Sequence, residues 1–259
     1  MDALLELTGR AEATHFWFHG FRAFVTPVIE RLAGGRRDLR LLDCGCGTGH
    51  NLALLRPHGR AFGFDLAPLG AAGARANGYP VALADVTRIP FPDASFDIVT
   101  AFDVLQCVER DVEAVREMAR VLRPGGTVVM TLAALDALRG DHAEVWHEVR
   151  RYTPASVRRL VEAAGLQPQR VSFLFASLFP LMWSVRTLQR LLRPYRKLRA
   201  DTDITVPPPP VNAALTWLVQ QEAALARRIP MPIGSSLIVV ARKAEIRTEG
   251  RRRNTGPSA

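Results

Sequence analysis

The chain has 259 residues, a formal net charge of +9, 48% hydrophobic residues and 23% charged ones, an ordinary globular composition that allows one substantial core with insertions. No apolar run reaches the roughly 18 residues of a spanning helix, and Met1-Asp-Ala-Leu-Leu-Glu-Leu lacks the basic start and apolar core of a signal peptide. A cytoplasmic chain is expected, and the uneven placement of its positive charge argues against a general nucleic-acid groove.

Residues 12–33 read as an amphipathic helical lead-in, the main part of an N-terminal cap over 1–36. Phe16, Trp17, Phe18 and Phe21 make it unusually aromatic. It is either a helix packed on the sheet edge or a cap over a ligand, with Trp17, Phe18 or Arg22 lining the site.

Leu39–Asn51, LRLLDCGCGTGHN, is the stretch around which the rest of the chain is organised. Leu39–Cys44 reads as a buried parallel strand. Gly45, Gly47 and Gly49 then let the backbone turn sharply and approach a ligand closely. A strand, a glycine turn and a helix form the nucleotide-binding corner of an open α/β sheet. The spacing is G-x-G-x-G, not the G-x-G-x-x-G of a dinucleotide fingerprint, which disfavours a nicotinamide-dependent oxidoreductase. Asp43 just ahead of the turn would repel a pyrophosphate but suits a ligand with an ammonium group and no phosphate, such as S-adenosylmethionine (SAM). Cys44-x-Cys46 has no second pair to complete a zinc site, so no metal is expected, and three cysteines in all suit a reducing compartment.

Asn51–Arg56 continues as a helix, and Arg60–Asp65 is a second strand. Its closing Asp65 lies about 20 residues beyond the turn, where a βαβ unit presents an acid to ribose hydroxyls. Helix Pro68–Asn77, strand Val81–Asp85, strand Phe96–Phe102 and helix Asp111–Leu122 come next, the last with Asp111 as its N-cap and Pro124-Gly-Gly126 as its stop. Thr127–Leu132 is strand five. A loop over 133–153 carries His142, Trp146, His147 and Arg150-Arg-Tyr152. Thr153 caps helix Pro154–Ala164, and Leu166–Phe173 is strand six.

Residues 174–234 form the largest insertion. Leu174–Leu192 is apolar and gives way to arginines, with six cations and no acid over 185–200. Asp201–Pro210 reads as a stiff linker, Asn212–Arg228 as a helix and Ser235–Arg242 as the last strand. A disordered basic tail is expected over 244–259.

Five segments in order resemble the class I SAM-dependent methyltransferases, of the type-11 kind. They are Asp43–Gly49, Asp65, Ala84-Asp85-Val86 with Ile89–Asp97, Phe96–Val108 and Val121–Gly126. The resemblance implies a Rossmann-like, doubly wound α/β fold: a seven-stranded, mostly parallel sheet, its last strand antiparallel between strands five and six. The core would span 37–173 and close with the strand at 235–243, after the helical lid of 174–234. It also implies the cofactor SAM and a binding set of Asp43, Cys44, Gly45, Cys46, Gly47, Gly49, Asn51, Asp65, Leu66, Asp85, Val86, Phe102 and Asp103, with Trp17 and Arg22 from the lead-in. Asp43 would hold the methionine ammonium, Asp65 the ribose hydroxyls and Asp85 the adenine amino group. Each acid has a plainer reading: Asp65 or Asp103 as a helix cap, Asp85 as a loop carboxylate paired with Arg88.

Many relatives place Glu-His where this chain has Gln106-Cys107, which weakens a base assignment there. His142 and His147 are the substitute candidates, since a histidine can take a proton from a hydroxyl acceptor; otherwise they are solvated, or partners of Tyr152. Phe173, Phe175, Phe179, Trp183 and the Arg186–Arg199 cluster would build an acceptor wall suited to a small apolar or lipid-like molecule, O-methylation being favoured. Residues 174–200 would be a lid or a peripheral membrane contact. The competing function is a catalytically silent SAM-binding domain that acts through a protein partner.

Overall fold

The computed structural model describes residues 11–192 and 205–245; the expected basic tail beyond 245 and the cations at 193–199 lie outside the described residues. Seven strands form one sheet: β1 (Leu39–Cys44), β2 (Gly59–Asp65), β3 (Val81–Leu83), β4 (Phe96–Phe102), β5 (Leu122–Ala133), β6 (Leu166–Leu174) and β7 (Ser236–Lys243). Their order is β3-β2-β1-β4-β5-β7-β6. The β1–β2, β1–β4, β2–β3 and β4–β5 pairs are parallel, whereas β7 runs antiparallel to both β5 and β6, as the family resemblance implies. Strands β1, β4 and the inner half of β5 are buried almost throughout, the mark of a sheet covered on both faces.

The covering helices are α1 (Phe16–Ala33), α2 (Leu52–Leu55), α3 (Pro68–Ala76), α4 (Asp111–Val121), α5 (Asp141–Val145), α6 (Pro154–Ala163), α7 (Phe179–Leu192) and α8 (Pro209–Ala226). Three local expectations are corrected. Asp111 is the first residue of α4 and no N-cap, because its carboxylate accepts from the Tyr152 hydroxyl at 3.0 Å and pairs with Arg150 at 2.7 Å. Strand β5 begins at Leu122, where it pairs with Phe96, and carries Gly125 at φ 77° through a register shift rather than starting after the glycines. Pro209 and Pro210 belong to the first turn of α8, where the missing N–H costs nothing.

Two features fix the insertion against the core. Buried Glu222 of α8 accepts from the backbone N–H groups of Ala176 and Ser177, both at 2.8 Å, and from the Ser177 hydroxyl at 2.6 Å. It thereby caps the loop that feeds α7. Gly20 of α1 faces Val219 of α8 so closely that a Cβ would strike its methyl group. Gly20→Val is therefore expected to push α1 from α8 and cost about 1–3 kcal/mol, read as a lowered denaturation midpoint with an unchanged m-value.

Candidate active site

The connections leave β1 in one direction toward β2 and β3, and the chain later returns beside β1 with β4, so the sheet reverses between β1 and β4. A crevice opens at the carboxyl ends of strands at such a switch point. Here it is a cavity of about 1160 Å³, above the roughly 300–1,000 Å³ of a single-ligand pocket and large enough for two molecules side by side.

The β1 turn forms its floor. The backbone N–H groups of Gly45 and Cys46 both donate to the Phe64 carbonyl of β2, at 2.9 and 3.0 Å. Gly45 has φ 71°, and a Cβ there would lie 2.6 Å from Val104, so the turn can meet the β4 loop only as glycine. Gly47, which lines the cavity, has φ 51° and nothing within 4 Å of a would-be Cβ.

Asp65 ends β2 at the wall. Its two oxygens accept from the Gly47 N–H at 2.7 Å and the Ala67 N–H at 2.8 Å. Leu66, Asn51, Cys46 and the Asp85-Val86 pair line the same half. The Asp85 carboxylate is oriented by the backbone N–H and the hydroxyl of Thr87, both at 2.7 Å, in place of the Arg88 pairing of its plainer reading.

Four expected residues lie outside the cavity wall. Cys44 points into the core and is fully buried, its thiol pushed well up by burial. Gly49 packs toward Ala74 and Tyr79. Arg22 donates to the Glu12 carbonyl at 2.9 Å, because on α1 it falls about 140° around the helix from Trp17, whereas Phe21 returns to the cavity face. Asp43 sits beneath the floor, 1% exposed. Its Oδ1 accepts from the Thr100 hydroxyl at 2.6 Å, across the Asp43–Thr100 register of β1 and β4. Its Oδ2 is buried without a hydrogen-bond partner. Burial lifts this carboxyl to about 7, with Thr100 opposing the shift and Asp65 adding to it.

Asp103, at the end of β4, has φ 55°, an uncommon conformation for a non-glycine residue. Its N–H is held by the Thr131 carbonyl and hydroxyl at 3.0 and 3.1 Å. The residue is solvent-accessible where it lines the cavity, and desolvation by the surrounding protein, aided by Glu148, raises its carboxyl to about 6. Phe102 beside it meets Phe21 edge-on, with ring centroids 5.2 Å apart.

The other half of the cavity was not legible in the sequence as a set. His142 and His147 both line it, together with Trp146, Glu148, Arg151 and Arg186. Glu148 and Arg151 form a buried ion pair at 2.9 Å. His147 has φ 53°. The loop carrying these groups is tied to the β4 end by the Gln106 carbonyl, which accepts from Val149 and Arg150 at 2.8 and 3.3 Å. Tyr152 bonds Leu105 and Asp111 instead of either histidine. From the insertion, Leu178, Leu181, Met182, Val185 and Arg186 reach the cavity. The expected wall of Phe173, Phe175, Phe179 and Trp183 does not: Phe173 and Phe175 are core, and Phe179 and Trp183 of α7 do not line the cavity, Trp183 being exposed. Trp17 does line the cavity, as expected, and stacks on Phe175 at 3.8 Å. Glu12 pairs with His50 at the rim, a contact between segments too distant in sequence to anticipate.

A methyltransferase-domain family matches residues 42–130. A malonyl-[acyl-carrier protein] O-methyltransferase of Serratia marcescens is 35% identical over 133 residues, covering 49% of this chain and 52% of that protein. A probable SAM-dependent methyltransferase of Mycolicibacterium smegmatis is 30% identical over 168 residues, covering 62% and 63%. The chain thus spans between half and two-thirds of the length of these relatives. Among solved structures, a chain from a Haloferax volcanii complex of a methyltransferase activator with a methyltransferase superposes with a TM-score of 0.62 at 20% identity, over 94% of this chain and 96% of that one. Residues 42–130 thus carry a methyltransferase domain, within a fold shared with the superposed chain.

Proposed function

We propose that the protein transfers the methyl group of SAM to a small, apolar or lipid-like acceptor, with an oxygen as the accepting atom. The observation that carries this reading is the continuous cavity joining the glycine turn and its acids to a second part, where Leu178, Leu181, Met182 and Val185 stand beside His142, His147 and Arg186. The residues fit the cofactor: Gly47 leaves the space a Cβ would fill, and Asp43, beneath the floor with Oδ2 unpartnered, is an acceptor that a cationic amine would satisfy directly or through water. When bound, SAM supplies a methyl group already activated on a sulfonium, so the protein's part is alignment and exclusion of water.

In this reading Asp65 and Asp85 hold the nucleoside end, and Phe102, Asp103 and Phe21 form the passage between the two halves. Cys107 offers no base where many relatives carry histidine. Its thiol donates to the Trp146 carbonyl at 3.2 Å, and desolvation by the surrounding cavity wall, with neighbouring Glu148 and Asp103, pushes it up to about 12. His142 and His147 are then the groups placed to take a proton from a hydroxyl acceptor. A carboxylate acceptor would need no base and would sit against Arg186. Relatives named malonyl-[acyl-carrier protein] O-methyltransferase support oxygen as the acceptor atom.

Calorimetric titration with SAM, its demethylated product and NAD tests the reading. Micromolar binding of the first two and none of NAD is expected, followed by methyl transfer in a screen of apolar hydroxyl and carboxyl acceptors. No SAM binding by folded protein overturns it, and binding without transfer to any acceptor favours the silent domain.

A further inference from the structure

Helix α7 carries an apolar stripe that the core does not cover. Leu181, Val185, Leu188 and Leu192 recur at i, i+4, i+7 and i+11, one continuous stripe, and they are 58%, 40%, 56% and 43% exposed. The buried residue of the same helix is Arg186, 7% exposed. A stripe of this spacing ordinarily packs on the core; here the core side is already occupied by the cavity and by the loop at 136–140, where Gly140 abuts Arg186. The stripe also continues into the site, since Leu181 and Val185 are exposed and line the cavity at once, which makes them its mouth.

Charge says what covers the stripe. Residues 179–192 contain no acid; of their two cations Arg190 is exposed and Arg186 is buried, and the sequence runs on through Arg193, Arg196, Lys197 and Arg199 before the first acid at Asp201. Exposed leucines flanked by arginines match an anionic bilayer, where the apolar face enters the acyl boundary and the cations meet headgroups. A purely polar acidic surface would be met by the cations but would give the four aliphatic side chains no apolar contact. No described helix is long and apolar enough to cross a membrane, so such contact would be peripheral.

We infer that α7 docks on anionic membranes and opens the acceptor half of the cavity toward the lipid phase, so that an apolar acceptor enters from the bilayer past Leu181 and Val185. This rests on the proposed methyl transfer only for the nature of the acceptor.

The test is sedimentation of the full chain with phosphatidylcholine vesicles, with and without one-third phosphatidylglycerol, for wild type and for the double variant L188D/L192D. Neither substituted residue lines the cavity. Wild type is expected to bind the anionic vesicles at least tenfold more tightly than the neutral ones, and the variant to lose at least tenfold. Circular dichroism and SAM titration of the variant should match wild type, which separates lost docking from lost folding. Absent binding to anionic vesicles, or binding that the variant retains, overturns the inference; so does retention by an acidic carrier protein in place of vesicles. Failure of SAM binding with vesicle binding intact would instead remove the methyl-transfer reading and leave the docking surface standing.

Discussion

Asp43→Asn is expected to make the cofactor-free protein more stable above neutral pH while weakening its hold on SAM. Burial raises the wild-type carboxyl to about 7, whereas the unfolded chain titrates near 3.9. Between those values the native state holds a proton that the unfolded state has released. This group's stabilising contribution is therefore full below about pH 4 and lost as pH rises through 7. Three pH units correspond to a loss of about 4 kcal/mol at most. An amide keeps the Thr100 bond at Oδ1 and has no charge to bury, so the variant should lack this decline and exceed wild type by about 2–3 kcal/mol at pH 8. A ligand ammonium reverses the preference, because it favours the carboxylate. SAM binding by wild type should then tighten from pH 6 to pH 8 and release a proton, seen as a dependence of calorimetric enthalpy on buffer. The variant should bind at least tenfold more weakly, with a flat pH profile. Wild-type affinity in the variant would show that Asp43 is only a sheet residue.

This position also shows how far sequence reading reached. The apolar runs of β1 and β4 and the glycines between β1 and α2 fix where the strands end, because a buried parallel strand and a backbone turn are both local events. Which way each side chain then points depends on the neighbouring strand. Asp43 meets Thr100 of β4 and lies under the turn, and Cys44, one residue on, enters the core. The same limit applies to α7. Its aromatic residues looked like an acceptor wall, but only the tertiary placement of the helix decides that Leu181, Met182 and Val185 face the cavity and Trp183 does not. The Glu148–Arg151 pair had a usable signal, opposite charges three residues apart in a loop, but nothing local marks such a pair as buried. Glu12 with His50 had none.

Asp65→Ala is expected to reduce SAM affinity by about 2–3 kcal/mol, some 30- to 100-fold, through loss of charge-assisted hydrogen bonds. Each Asp65 oxygen spends one acceptor direction on the loops, on Gly47 and Ala67, and an ionised carboxylate retains further capacity on the side facing the cavity. Removing it has two consequences that must be told apart. The Gly47 N–H loses the anchor that holds the turn in place, which would weaken any ligand; the ribose hydroxyls lose their acceptor, which would weaken only ligands that carry them. A SAM analogue without the two ribose hydroxyls separates these effects as a double-mutant cycle does. If Asp65 binds the ribose, the analogue should bind wild type as weakly as SAM binds the variant, and the substitution should cost the analogue little. An equal loss for both ligands would make Asp65 a brace for the glycine turn and leave the ribose to other groups on the wall.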